Sequence, residues 1–367
     1  ATYVLFLRQK GFDLLEINLL NGVCMVAIFF FEIPTGAIAD FWGRKISVVI
    51  GLFVYSFSFL IYFFSSNFWF FVLAEIIGAV ASSCISGASD ALLVDSLKHK
   101  GHTGDLDEVF SKMGTKTIGV AIGSFAGSLL GSVDLSYPWL ATALGFFLLA
   151  FFAMYFFKEE YFVKPEKKDI CFGAIFKIAK DSIKYGFKNR ELMFMILFVG
   201  FLALVFQPLN MYWSLIFKDD FSFTIKNMGL VYSGIAIVTY LGYRSSLFLK
   251  RKFKNVRSVI ILSQIITMVG IFGACIFFKV PTFLSFFLLH EFGRGIQDPL
   301  SQAYINKYID NKNRATVLSL SSMISRLGAG IGLVYSGMIA KNFGSVNSWF
   351  LSAIILALVI IVFYKKR

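Results

Sequence analysis

The chain has 367 residues, of which 57% are hydrophobic, 18% aromatic and only 16% charged, a balance that excludes an ordinary water-soluble globule and puts much of the apolar surface against lipid. Its formal net charge of +13 would suggest nucleic acid as a partner of a soluble protein. Here the placement of the charge excludes that partner, as set out below. Four cysteines, three in apolar runs (Cys24, Cys84, Cys275) and Cys171 in a basic segment, are too few and too scattered for a disulfide framework and read as small core residues.

In chain order, Ala1 to Leu7 is an apolar stretch of about 10 Å as helix, too short to cross a bilayer. It reads as the end of a first helix that starts before this sequence. Eleven apolar runs follow: Ile17–Ala39, Ile46–Ser65, Phe68–Leu97, Val109–Val133, Pro138–Phe157, Leu192–Phe217, Met228–Leu249, Val259–Phe278, Phe283–Ile309, Ala315–Ala340 and Trp349–Tyr364. Each is near the ~20 residues that span ~30 Å of hydrocarbon. The expected fold class is therefore an all-α polytopic membrane protein. Counting the truncated first helix, it divides into an N-terminal six-helix bundle (1–157), a linker (158–190) and a C-terminal six-helix bundle (191–367). In the linker Ile170, Ile175, Phe176, Ile178, Ala179, Ile183 and Phe187 form an apolar stripe beside Lys177, Lys180, Asp181, Lys184 and Lys188, the pattern of an amphipathic helix lying on anionic lipid.

If the loop after Ala39 is cytoplasmic, loops on that side hold 23 Lys/Arg and those on the other side six. The positive-inside rule then orients the chain, with the C-terminal Lys365-Lys366-Arg367 cytoplasmic, and turns the basic balance into a topology signal. The expected setting is the cytoplasmic membrane, multi-pass, with the lipid bilayer as partner and a monomeric state.

The first hairpin carries Gly36-Ala37-Ile38-Ala39-Asp40-Phe41-Trp42-Gly43-Arg44-Lys45, a turn of about six residues that places Asp40, Arg44 and Lys45 at the membrane surface. This Gly-x-x-x-Asp-x-x-Gly-Arg-Lys pattern resembles the loop between helices two and three of the major facilitator superfamily, with Phe41 where the family usually has a basic residue. The resemblance implies two pseudo-symmetric six-helix halves that rock about a central site. It also implies a cytoplasmic latch of Gly36, Asp40, Gly43, Arg44 and Lys45, for which Asp95 at the end of the fourth helix is the expected partner. The bland reading is a solvated turn, which accounts for Arg44 and Lys45 but not for Gly36 or Asp40.

Carboxylates inside the apolar runs are the second signal, since an intramembrane charge is costly unless paired or hydrated. Glu32, Glu75, Asp90 and Glu291 are the candidates for carrying a coupling proton, with Glu75 and Glu32 ahead because neither has an evident base in its own helix. For Glu75 a cation-attracting role and a structural hydrogen bond stay open. Glu291 and Arg294 at i,i+3 spacing read as a structural ion pair. Arg294 and Arg326 are also candidates for the substrate cavity. The segment Leu73-Ala74-Glu75-Ile76-Ile77-Gly78 aligns with Leu289-His290-Glu291-Phe292-Gly293-Arg294, a trace of internal repetition.

Gly119, Gly123 and Gly127 stack on one face of the fifth helix. With Ser124 and Ser128 the segment is similar to the antiporter motif of the superfamily's drug exporters, and generic close packing explains the spacing equally well. Gly328, Gly330, Gly332 and Gly337 make the eleventh helix similarly small-faced. In the seventh, Gln207-Pro208-Leu209-Asn210-Met211-Tyr212-Trp213 offers Gln207 and Asn210 as cavity candidates beside a proline break, while Tyr212 and Trp213 read as an interfacial aromatic belt.

Nothing indicates an enzyme. His99 and His102 lie in a loop and His290 stands among apolar neighbours, so no metal or cofactor site is expected. Glycine spacings lack the strand, helix and lysine of a phosphate loop. The favoured function is proton-coupled efflux of a hydrophobic or drug-like molecule, as in the bacterial efflux members that the chain resembles. The alternative is proton-coupled uptake of a nutrient such as a sugar or peptide. A membrane receptor or scaffold is the third reading, and has no use for buried Glu32 or Glu75.

Overall fold

The computed structural model describes residues 2–99, 101, 116–159, 162, 190–253, 255–307 and 314–365, apart from some side chains within these ranges. The described residues form twelve α-helices and no strand. These are α1 (Tyr3–Gln9), α2 (Leu14–Trp42), α3 (Arg44–Phe64), α4 (Phe68–His99), α5 (Lys116–Val133) and α6 (Tyr137–Phe156). Then follow α7 (Arg190–Leu215), continued by a π-turn Ile216–Asp220, and α8 (Ile225–Lys252), α9 (Val256–Ile276), α10 (Val280–Lys307), α11 (Arg314–Phe343) and α12 (Ser345–Lys365). Every apolar run of the sequence thus contains one helix. The amphipathic stripe of the linker, His102, Cys171 and Lys100 lie outside the described residues.

Eight of the helices are both long and apolar enough to cross a membrane: α2, α3, α4, α6, α7, α9, α11 and α12. The apolar part described for α5, Gly119–Val133, is shorter. α8 and α10 have 28 residues each, about 42 Å at 1.5 Å per residue, so length is not what sets them apart. α8 ends in Lys250, Arg251 and Lys252, whereas α10 carries His290, Glu291, Arg294 and Asp298 in its interior.

The hairpin between α2 and α3 is tighter than the sequence suggests. α2 runs through Asp40 to Trp42 and α3 starts at Arg44, leaving Gly43 as the whole connection. Gly43 has φ +99°, a conformation that L side chains resist. A Cβ there would also meet Glu159 Oε2 at 2.8 Å. Asp40 therefore belongs to the last helical turn of α2 and not to a loop.

By packing, the chain forms two compact units. One comprises Ala1–Asn18, Thr115–Ser132 and Lys177–Arg367, the other Leu19–Gly114 and Val133–Phe176. In the second unit α3 packs on α4 and α6. There Ser47 Oγ donates to Cys84 O at 2.9 Å and Ser56 Oγ to Ala143 O at 2.8 Å, so small buried hydroxyls satisfy themselves on neighbouring backbones. In the first unit α7 packs on α11 through glycine. A Cβ at Gly328 would run into Gly200 O, and one at Gly332 would lie 2.6 Å from Leu204 O. Leu204 O is the carbonyl that Pro208 cannot serve with a donor. The small face read for the eleventh helix is thus used by Gly328 and Gly332. A Cβ at Gly330 would meet nothing within 4 Å.

Candidate functional site

The densest ionic cluster described within a helix interior lies on α10. Arg294 Nη1 donates to Glu291 Oε1 at 2.9 Å, the i,i+3 pair expected from the spacing. His290 Nε2 lies 3.3 Å from the same oxygen. His290 is fully buried and Glu291 nearly so, while the Arg294 side chain keeps 22% of its surface. The Arg294 guanidinium sits 4.6 Å from the Phe206 ring centre on α7, a cation–π contact that helps to hold a cation away from water.

Backbone contact fixes this stretch of α10. A Cβ at Gly270 of α9 would come 2.5 Å from His290 N, one at Gly242 of α8 2.5 Å from Phe292 O, and one at Gly295 would run into Thr239 O. α10 is thus gripped from two sides at the level of its charges. Phe283 and Phe287 stack on Trp349 of α12 at 5.7 and 5.8 Å between ring centres, and the His290 ring joins them 4.9 Å from Phe287. The sequence places His290 among apolar neighbours, and that holds for its ring. Its contact with Glu291 is not legible there, because adjacent residues on a helix do not usually face each other.

α7 brings a second polar node. Asn18, the last residue of its unit in α2, donates through Nδ2 to Tyr212 Oη at 2.6 Å and to Leu333 O at 2.7 Å. Trp349 Nε1 donates to Pro208 O at 3.0 Å. Tyr212 is completely buried and Trp213 is 6% exposed, packed against Tyr232 and Phe287. The interfacial belt expected for these two is therefore corrected: both are core, since Tyr212 has hydrogen-bond partners inside the protein. Gln207 is half-buried, its Cβ beside Gly332, and Asn210 is exposed.

The other candidates are dispersed. Glu75 is buried and accepts a hydrogen bond from Tyr62, whose ring stacks on Trp139 at 4.4 Å. Glu75 is the eighth residue of the membrane-length apolar stretch Phe68–Ser86, whereas Glu32 is the last residue of Leu14–Glu32. Thr35 Oγ1 donates to Phe31 O at 2.8 Å and to Glu32 O at 3.2 Å, which steadies the helix around Pro34. The side chains of Asp40, Asp90 and Asp95 lie outside the described residues. Arg326 is half-buried in α11. A Cβ at Gly119, Gly123 or Gly127 would meet nothing within 4 Å among the described residues. α5 instead meets α8 through Ser128 and Phe125, against Gly229.

One residue that the sequence does not single out completes the hairpin. Glu159, just past α6, accepts from Arg44 N at 2.9 Å and Lys45 N at 2.8 Å, one carboxylate oxygen each. The two N–H groups belong to the first turn of α3, where helices have unsatisfied donors and a partial positive charge. No group of His, Cys, Asp or Glu suited to a metal ion occurs among the described residues.

Eight described helices long and apolar enough to cross a membrane define a polytopic membrane protein. The Major Facilitator Superfamily model matches residues 1–255 and 245–367, and the chain belongs to that family. It is 25% identical over 367 residues to the uncharacterized MFS-type transporter YxaM of Bacillus subtilis, spanning 99% of this chain and 90% of that one. It is 24% identical to the class H tetracycline resistance protein of Pasteurella multocida over 90% of this chain and 81% of the relative. Among solved structures it resembles a mutant form of the nucleoside transporter NupG with TM-score 0.81 and 15% identity, over 99% of this chain and 93% of that one. The human organic anion transporter MFSD10 gives TM-score 0.64 and 15% identity, over 94% and 83%.

Proposed function

We propose that this major facilitator superfamily transporter works by alternating access and exports hydrophobic or drug-like molecules in exchange for protons. The observation that carries the reading is the set of carboxylates held inside long helices, with different surroundings: Glu291 on α10 beside Arg294 and His290, Glu75 on the membrane-length α4 beside Tyr62. Buried charge is expensive in lipid and is kept where it does work on ions or substrate. A carboxylate bonded to a hydroxyl keeps that bond whether or not it carries a proton, because a hydroxyl both donates and accepts. This favours Glu75 over Glu291 as the carrier, with Glu32 as the second candidate. The likeness to a tetracycline resistance protein supports the direction of transport and the substrate class.

In this reading the two six-helix halves, 1–157 and 191–367, rock about a central site in the cytoplasmic membrane, with the C-terminus cytoplasmic. Gly36, Asp40, Gly43, Arg44, Lys45 and Asp95 form the latch on the cytoplasmic side, and Glu159 adds an acid that holds the start of α3. Gln207, Asn210, Arg294 and Arg326 face the substrate.

The test is flux in proteoliposomes, with and without an imposed pH gradient, of three probes: tetracycline, the tetraphenylphosphonium cation and uridine. Gradient-dependent movement of tetracycline or the cation, opposite to the proton flow, is the expected result. Uridine moving with protons, and neither of the others moving, would replace export by nutrient uptake.

A further inference from the structure

Two fully buried polar side chains among the C-terminal helices have unmet hydrogen bonds, and both lie against α12. Gln264 of α9 is 0% exposed, and neither its Nε2 nor its Oε1 has a partner among the described residues. The same holds for Nδ1 of His290 on α10, whose ring is also 0% exposed. Burying an amide with nothing to bond costs about 1–3 kcal/mol. In a helix of membrane-crossing length such as α9, a group of this kind is kept where something meets it.

The packing of α9 on α12 places the amide. Before it in the chain, Arg257 Nη2 donates to Phe363 O, and after it Cys275 Sγ lies 3.8 Å from Val346 O. Gln264 is about two turns from Arg257 and about three from Cys275, so it shares their side of α9 and faces α12 near Leu356. His290 reaches α12 from the other flank, its ring centre 6.2 Å from that of Trp349. Its backbone N would lie 2.5 Å from a Cβ at Gly270, which puts the ring and the Gln264 amide about 9 Å apart along α9. Between those levels α12 presents Ala353, a small side chain, 0% exposed, one turn from both Trp349 and Leu356. The two sides of His290 differ. Towards the start of α10 it meets Phe287 at 4.9 Å, in a stack with Phe283 and Trp349. Towards the end of α10 the buried Gln297 donates through Nε2 to Ser301 Oγ at 2.8 Å.

We infer that Gln264 and His290 Nδ1 hold buried water beside Ala353, a hydrogen-bonded relay inside the C-terminal helices that stops at the aromatic rings. Water suits both ends, because it donates to a ring nitrogen or a carbonyl and accepts from an amide. A separation of about 9 Å is three hydrogen bonds of about 3 Å, hence about two molecules. The relay engages Nδ1 while Nε2 stays beside Glu291, so both ring nitrogens are served whichever carries the proton. This goes beyond the export reading, and its test uses neither substrate nor gradient, so either can fail without the other.

The measurement is radiolytic footprinting of the purified protein, in which hydroxyl radicals made from water by an X-ray pulse oxidise the side chains that bound water touches. His290 should be oxidised despite its burial, while Phe283, equally buried among rings, should not. Gln264→Leu removes one holder of the water and should lower His290 oxidation about three- to tenfold, the occupancy lost with one hydrogen bond. Ala353→Leu fills the space and should do the same. Ala353→Ser keeps the space and adds a hydroxyl, so the signal should stay at or above the wild-type level, which separates loss of water from a disturbed fold. A wild-type His290 as silent as Phe283, a signal that ignores both leucine variants, or one that Ala353→Ser also abolishes, would overturn the relay.

Discussion

Glu291 and Arg294 face each other one turn apart on α10, Oε1 to Nη1 at 2.9 Å, with the carboxylate almost wholly buried. Two charges in such a place are neither strongly stabilising nor free to be separated, because removing one strands the other. Arg294→Ala should therefore destabilise the protein by about 3–5 kcal/mol, read as a lower thermal midpoint in detergent. Adding Glu291→Gln should recover part of the loss. Equal midpoints for wild type and Arg294→Ala would show that Glu291 has another partner of equal strength.

Glu159 closes the Gly43 hairpin through two charge-assisted bonds to the backbone of α3. Glu159→Gln keeps the shape and removes the charge, at a cost of about 1–2 kcal/mol in local opening. Hydrogen exchange at the Arg44 and Lys45 amides should then speed up by about tenfold. Exchange unchanged within a factor of two would remove Glu159 from the hairpin's support.

The helices are legible in the sequence because each apolar run is long enough to be one, and the i,i+3 pair on α10 because partners on a single helix can be counted along the chain. What stays hidden depends on tertiary contact. Glu159 is 115 residues from Arg44, and nothing local marks it as a cap for another helix. The sequence overstates the length of the hairpin because polarity suggests an end to α2 before Asp40, whereas the helix carries Asp40 in its last turn and Gly43 alone makes the reversal. Tyr212 and Trp213 mislead for a related reason. Their composition suits an interface, and only Asn18, 194 residues away from Tyr212, reveals a partner inside.

Asp13 titrates below the ordinary aspartate range, chiefly through the hydrogen bond from Lys341, with the Glu16 N–H adding to it. A carboxyl depressed on folding contributes stability that is present above its unfolded pKa and is lost as pH falls through the folded one. Asp13→Asn should therefore lower the thermal midpoint at pH 7, and the two proteins should converge only in strong acid, below the range where an unpaired aspartate is protonated. A difference that stays constant down to strong acid would show that Asp13 contributes shape and not charge.

Asp40→Asn should abolish most transport at unchanged expression and insertion, since the latch reading gives its carboxylate a state-dependent partner. Wild-type transport by this variant would remove the latch from the account.

Proton exchange for substrate is the central claim, and the most direct measurement is the proton itself. In proteoliposomes with an internal pH dye, an imposed tetracycline gradient should drive protons in the opposite sense with wild-type protein. In the Glu32→Gln, Glu75→Gln double variant it should drive none, while energy-independent tetracycline exchange persists. Tetracycline movement without any proton movement in the wild type, or undiminished proton movement in the double variant, would contradict the account.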